Sequence, residues 1–186
     1  ARLTRLGAPW QNARMIRLAA VADLHAGPDA RDAMASHFAG LSAEADLLLL
    51  AGDLTRAGHP EEAEALAGVL REVGVPVVAV LGNADYDAEQ APAIMAIMRE
   101  AGVGAIAVLG GDGTHRAVAA HCGDTPLLAL STGTNNAFPE MREATTAGIA
   151  MALVVAGVVP LAVALRRNKR LWVTARDRRE LALVDV

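Results

Sequence analysis

Aromatic side chains make up only 3% of the 186 residues: two Trp, one Tyr and two Phe. A core without large rings must be assembled from Ala, Val, Leu, Ile and Met packed at close range. Lysine is nearly absent as well. Lys169 is the only one, and the other 16 of the 17 basic residues are Arg. Cys122 is the single cysteine, which excludes an intramolecular disulfide and any multi-cysteine zinc site. A lone thiol suits a reducing compartment, so a cytoplasmic location is expected. Positive charge is also short: the net charge of −4 argues against a general nucleic-acid binder. Residues 1–14 contain Arg but no long apolar run, so they do not read as a secretory leader. They are expected to form a flexible N-terminal extension ahead of Met15.

What is present is an apolar majority. Apolar residues reach 53% and charged residues 20%, enough to bury a real core in one domain or two small ones. The charge is uneven. Residues 1–100 carry 8 basic and 14 acidic side chains, a net of −6, whereas residues 101–186 carry 9 basic and 7 acidic, a net of +2. Ala147–Leu165 is a run of 19 uncharged residues followed by Arg166, Arg167, Lys169 and Arg170. Its length permits a membrane span. Gly148, Gly157, Pro160 and the many alanines favour instead a buried helix ending near Gly157, then a buried strand from about Pro160. No membrane partner is expected, and the sequence leaves the oligomeric state open.

Short apolar runs alternate with amphipathic ones. Strands are expected at Ile16–Ala22, Leu47–Ala51, Val77–Leu81, Ala105–Leu109 and Leu127–Leu130. Each ends in Gly, Asp, Asn or Ser and is apolar on both faces, as buried parallel strands are. Helices are expected at Ala30–Ala39, Glu61–Glu72, Ala91–Glu100, Arg116–His121 and Glu140–Ala156, with Pro60 in a first turn behind His59. This alternation predicts an α/β fold: a mostly parallel sheet with helices on both faces, in three layers. After Pro160 a hairpin is expected, with strands Leu171–Thr174 and Leu181–Val184 around a charged turn at Arg176–Glu180.

In an open parallel sheet, ligands bind beyond the carboxyl ends of the strands. Asp23-Leu24-His25 follows the first strand, Gly52-Asp53 the second, and Gly82-Asn83-Ala84-Asp85 the third. Two carboxylates, an imidazole and an amide oxygen then meet at one edge, with Asp85 close behind. That oxygen and nitrogen set suits Mn²⁺, Fe or Zn²⁺. A carboxylate central in the sheet can bridge two ions, and a bridged pair activates water for in-line attack at phosphorus.

The runs Val21–His25, Leu50–Thr55 and Val80–Tyr86 resemble the calcineurin-like metallophosphoesterases over about residues 15–101. The resemblance implies that Asp23 and His25 bind one metal, that Asp53 bridges two, and that Asn83 binds the second. It implies a hydrolase, a phosphatase or phosphodiesterase acting on a small phosphorylated substrate. Asp53 and Asp85 are the candidate catalytic carboxylates. Two departures imply an incomplete site, with one ion as the minimum. Ala84 stands where the family carries His, and no Gly-His or Gly-His-x-His follows residue 85.

A second constellation follows the next two strands. Gly110-Gly111-Asp112-Gly113-Thr114 can bring backbone N–H groups against a phosphate at a helix N-terminus. Asp112 could orient or deprotonate a hydroxyl acceptor. Ser131-Thr132-Gly133-Thr134-Asn135-Asn136 faces the same edge. Gly110–Arg116 and Leu130–Pro139, extended by Glu143-Ala144-Thr145 and Ala164–Lys169, resemble the ATP-NAD kinase-like proteins, their acetoin-catabolism X branch in particular, over about residues 104–186. This resemblance implies that Gly110, Gly111, Asp112, Gly113 and Thr114 hold nucleotide phosphate and that Thr134, Asn135 and Asn136 contact the nucleotide. The cofactors would then be ATP with Mg²⁺, and NAD.

The two resemblances meet near Ala101–Gly104, where the charge also changes sign. Residues 15–101 and 102–186 are therefore expected to be halves of different ancestry packed as one continuous domain. The leading functional expectation is a metal-dependent phosphoesterase. The alternatives are an ATP-dependent NAD kinase-like phosphotransferase or nucleotide-binding domain, and an inactive α/β chimera or fragment.

Overall fold

The computed structural model describes residues 15–82 and 91–184. Asn83 and Asp85 lie outside the described residues. Five strands form one parallel sheet in the order β1-β2-β3-β4-β5: β1 (Leu18–Ala22), β2 (Leu47–Ala51), β3 (Val77–Leu81), β4 (Ala105–Gly110) and β5 (Leu127–Ser131). Sequence order and spatial order coincide, so each new strand is added on the same side of the last. With right-handed crossovers, that progression puts every connecting helix on one face. The helices α1 (Arg31–Phe38), α3 (Pro60–Leu70), α4 (Ala91–Glu100) and α5 (Asp112–His121) do line one face, while α2 (Leu41–Glu44) is a single turn before β2. Among the described residues only α6 (Ala144–Val155), which follows the last strand of this sheet, returns to cover the other. The expected three layers are present, unequally filled.

Period-two alternation sorts each strand between the layers. Leu48 and Leu50, Val77 and Ala79, and Ile106 and Val108 point into the larger core, against Leu66, Ile94, Met95, Met98 and Val118. Leu47, Val78, Ala105 and Ala107 point the other way, against Met151 of α6. Among the described residues no Phe, Tyr or Trp is one of the largest fully buried side chains; Leu, Ile, Met, Val and His115 are. Cys122 is buried and unpaired, and burial pushes its thiol up, so it is an inert core residue.

The first turn of α3 shows how local sequence starts a helix. Pro60 sits in the first turn, where its missing N–H costs nothing. Glu62 reaches back to accept from the backbone N–H of Ala57 at 2.9 Å and of His59 at 3.3 Å. Burial opposes ionisation of Glu62, but those two N–H groups, with His59 and Arg56 nearby, outweigh it and hold the carboxyl below its ordinary range.

Four expectations need correction. The helix after β4 starts at Asp112, not at Arg116, because the Gly-rich turn is itself the first turn of α5. Residues after Pro160 form a single helical turn, α7 (Leu161–Ala164), rather than a buried strand. The hairpin pairs β6 (Leu171–Ala175) with β7 (Arg178–Ala182), so its turn is only two residues long. Finally, β1 is not buried on both faces: it lies at the sheet edge, and Leu18 is 53% exposed. Arg179 stacks over Trp172 at 4.5 Å on the open face of the hairpin, and Leu181 and Ala182 turn inward toward α5.

Candidate functional site at the carboxyl edge of the sheet

The carboxyl edge is built differently at its two ends. Between β1 and β2 the pairing continues past the strands. The N–H of Asp23 donates to Gly52 at 3.3 Å, that of His25 to Asp53 at 2.9 Å, and that of Ala26 to Leu54 at 2.9 Å. Along this extension Asp23, His25 and Asp53 all take left-handed backbone angles, with φ of 51°, 44° and 43°. Among the described residues Arg176 is the only other non-glycine to do so. Each such residue costs about 1–2 kcal/mol, and strain of this kind concentrates at functional sites. Here it gathers the three side chains: ligand atoms of Asp23, His25 and Asp53 lie within 4.8 Å of one another.

Gly82, at the end of β3, makes room for this cluster. A Cβ there would stand 2.2 Å from Oδ1 of Asp53 and 2.3 Å from its backbone N. The Asp53 carboxylate therefore lies directly over the third strand. Two carboxylates and an imidazole, exposed or half-buried and converging, could hold a divalent cation and leave coordination positions open.

At the other end the edge is stitched by hydrogen bonds between distant segments. Gly110 ends β4 and pairs with Ser131, and Gly111 caps α5. A Cβ at Gly110 would meet the Thr114 side chain at 2.8 Å, so glycine lets Thr114 fold back over the turn. The first bond of the α5 ladder runs from the N–H of His115 to Gly111 at 3.1 Å. The earlier N–H groups of the turn have no acceptor within the helix. Asp112 donates its N–H to Oδ1 of Asn136 at 3.4 Å. A Cβ at Gly113 would meet nothing within 4 Å, so the space beside that residue is open.

The Asp112 carboxylate is engaged. It accepts from the backbone N–H of Ala137 at 2.9 Å and of Phe138 at 2.8 Å. These two bonds, with His115 nearby, hold its carboxyl below the ordinary range. Asp112 is thus a firm anion that ties the 131–138 loop to the start of α5, and a poor proton acceptor. Oδ1 also accepts the Ala137 N–H at 3.2 Å, so Oδ2 is the oxygen with a lone pair left to orient a hydroxyl. Asn136 completes the stitch by donating from Nδ2 to Ser131 Oγ at 2.8 Å. Thr134 and Asn135 stay exposed on the loop rim.

One member of this site escaped the sequence. His115 is fully buried, with Nδ1 2.8 Å from the Gly111 carbonyl and Nε2 3.1 Å from the Val108 carbonyl. It fixes the turn from below, with Phe138 stacked at a tilt 6.1 Å away. Its only sequence signal is its place directly after the Gly-rich run.

The structure thus brings Asp23, His25 and Asp53 together at one end of the edge. It brings Gly110–Thr114 together with Asn136 at the other. Comparison with known proteins gives the second group a relative. Residues 85–159 match the family described as the ATP-NAD kinase N-terminal domain. The chain is 58% identical over 80 residues to the acetoin catabolism protein X of Cupriavidus necator strain H16, covering 40% of this chain and 22% of that protein. The chain therefore spans less than a quarter of the curated relative it matches. No solved structure matches it. These findings overturn the leading expectation of a metal-dependent phosphoesterase, and with it the hydrolase and phosphatase assignments. The kinase-like match takes in the whole Gly-rich turn, Asn136 and residue 85, and neither match supports the calcineurin-like resemblance. Among the described residues, no helix is long and apolar enough to cross a membrane. The comparisons leave one positive statement of kinship: residues 85–159 form a segment similar to the ATP-NAD kinase N-terminal domain.

Proposed function

We propose that this chain is a NAD kinase-like, nucleotide-binding domain whose reaction class is phosphoryl transfer from ATP to a hydroxyl of NAD. The observation that carries the reading is the turn from Gly110 to Thr114. It opens α5, has its first-turn N–H groups outside the helical ladder, with the Asp112 N–H on Asn136, and is open to space beside Gly113. Such a turn holds phosphate through N–H groups and the positive end of the helix dipole. Mg²⁺ carried by the nucleotide would neutralise charge on the phosphate oxygens. Asp112 keeps the acceptor loop in register through Ala137 and Phe138 and offers the remaining Oδ2 lone pair to an incoming hydroxyl. Thr134 and Asn135 on the rim are the groups placed to meet the nucleoside. The test is calorimetric titration with ADP and ATP, alongside an enzymatic readout of NADP formed from ATP and NAD. Saturable ADP binding that is lost in Gly111→Val is the expected outcome. Absence of nucleotide binding at millimolar ligand would refute the reading.

A second assignment has its own observation. Three mixed donors within 4.8 Å favour a divalent cation on Asp23, His25 and Asp53. Mn²⁺ titration should show one site that Asp53→Asn removes; equal affinity in the two proteins would refute it.

A further inference from the structure

Composition predicts burial of the uncharged run from Ala147 to Leu165, yet much of it lies at the surface. Ala147 and Met151 are the buried residues of α6 and hold it to the sheet. From Ala147 onward α6 has no polar side chain, and a helix apolar all round is normally enclosed on every side. Beyond it Val158, Leu161, Val163 and Leu165 are all exposed, Val163 at 79%. Beside them opens a groove of about 680 Å³, lined by Leu127 and Leu128 of the sheet and by Met151, Val154, Val159 and Leu165. Its only polar lining side chains among the described residues are Arg142, Glu143 and Thr146, all from the segment that starts α6. A continuous apolar surface of this kind marks an interaction site.

The charge beside this surface has one sign. No acidic residue occurs from Ala144 to Arg176, whereas Arg166, Arg167, Lys169, Arg170 and Arg176 do. Arg166 follows directly on Leu165, which lines the groove. Arg166, Arg167 and Lys169 are exposed and make no ion pair with another described residue. Arg170 turns back and donates to the Ala119 carbonyl at 2.8 Å. At the other end of the groove the acidic groups are engaged: Glu140 pairs with Arg142, and Glu143 caps α6. We infer that residues 158–165 and the groove beside them dock on the surface of an anionic lipid bilayer. Val158, Leu161, Val163 and Leu165 enter the acyl boundary, and Arg166, Arg167 and Lys169 reach back along their own stems to the lipid phosphates and carboxylates. This is surface binding, not a span. α6 has 12 residues and reaches roughly 18 Å, short of a hydrocarbon core of roughly 30 Å, and Gly157 at φ 72° breaks the run. The surface lies across the sheet from α5, so the inference stands apart from the nucleotide reading.

The experiment mixes the full chain with vesicles of phosphatidylcholine containing phosphatidylserine, and with vesicles of phosphatidylcholine alone, and separates bound from free by flotation. Partition onto the anionic vesicles is expected to be about tenfold or more above that onto the neutral ones, and to fall as salt is raised. Val163→Asp changes a side chain that already faces solvent, so the fold is kept while partition should drop about tenfold or more. Arg166→Ala combined with Arg167→Ala should independently lower it about tenfold or more, since each cation near an anionic surface is worth about fivefold. Equal partition onto the two vesicle types, no binding to either, or binding that survives both variants overturns the inference. So does a concentration-dependent dimer in sedimentation velocity that Val163→Asp dissolves, which would give this surface to a second copy of the chain.

Discussion

Gly82→Ala is the most demanding perturbation of this edge, because one methyl group is set against a fixed backbone. The added Cβ would stand 2.2 Å from Oδ1 of Asp53, 2.3 Å from its backbone N and 3.0 Å from its Cγ. The carboxylate could rotate away, but the backbone N cannot. The peptide at Asp53 would have to recede by roughly 1 Å to reach ordinary contact. That peptide is tied on both sides, since Gly52 donates to Val80 at 3.0 Å and Asp53 accepts from His25 at 2.9 Å. Overpacking of this kind costs about 1–3 kcal/mol, and loosening one ladder bond adds about 1 kcal/mol. The stiffer unfolded chain of the alanine variant returns about 0.4–1 kcal/mol. A net loss of about 2 kcal/mol should lower Tm by roughly 4–8 °C in a chain of this length. Thermal melting followed by circular dichroism reads the stability, and Mn²⁺ calorimetry on the same samples reads the displaced carboxylate. A variant with wild-type Tm and wild-type Mn²⁺ affinity would refute the claim that the Asp53 carboxylate lies over the third strand.

Gly148→Ala is the control for that experiment: it lies inside α6 with nothing within 4 Å of its Cβ position. It should raise stability by about 0.5–1 kcal/mol, and a lowered Tm would show that α6 packs otherwise. His25→Gly removes an exposed side chain from a left-handed position. It should raise Tm by a few degrees while removing Mn²⁺ binding, and a lowered Tm would count against strain at that residue. Glu143 caps α6 by accepting from the N–H groups of Thr145 at 2.9 Å and Thr146 at 2.7 Å, which lowers its carboxyl to about 2. A depressed value means that its contribution is complete above the ordinary glutamate range and fades as pH falls from about 4 toward 2. The acid melting profile of Glu143→Gln should therefore converge on wild type near pH 2, and a difference that grows on acidification would contradict the cap.

Much of this fold is legible in the sequence because its strands are short apolar runs bounded by Gly, Asp or Ser. The five strands of the sheet fall within two residues of the runs that predicted them. Misplacements occur where composition and context disagree. Gly-Gly-Asp-Gly-Thr reads as a loop by propensity, yet becomes a helical turn once Asn136 and the 137–138 backbone bind its open end. Leu161–Ala164 has the residues of a strand but no neighbour to pair with, so it closes on itself as one helical turn. The pair β6 and β7 is charged and exposed, so its register follows the turn rather than a buried face. At the site, Asp23, His25 and Asp53 are legible because their positions depend only on strand ends. The roles of Asp112 and His115 are not, because each is set by groups that the sheet, not the sequence spacing, brings alongside.

The two ends of the edge are held in place by opposite means. At β1 and β2 three residues are held in unfavourable backbone conformations, and the paired main chain on both sides keeps them there. At β4 and β5 the turn is relaxed, and its shape comes from bonds made across 24 to 26 residues of chain. Strain is retained only where the surroundings over-determine it. The third strand between them is what lets both coexist, because Gly82 carries no side chain to push Asp53 off the sheet. A continuous parallel ladder from β2 through β4 then fixes the spacing of the two ends. The chemistry of this edge therefore depends on the sheet's rigidity more than on any single loop. Substitutions that soften β3 should disturb cation and nucleotide together, whereas changes confined to the 131–138 loop should reach the nucleotide alone.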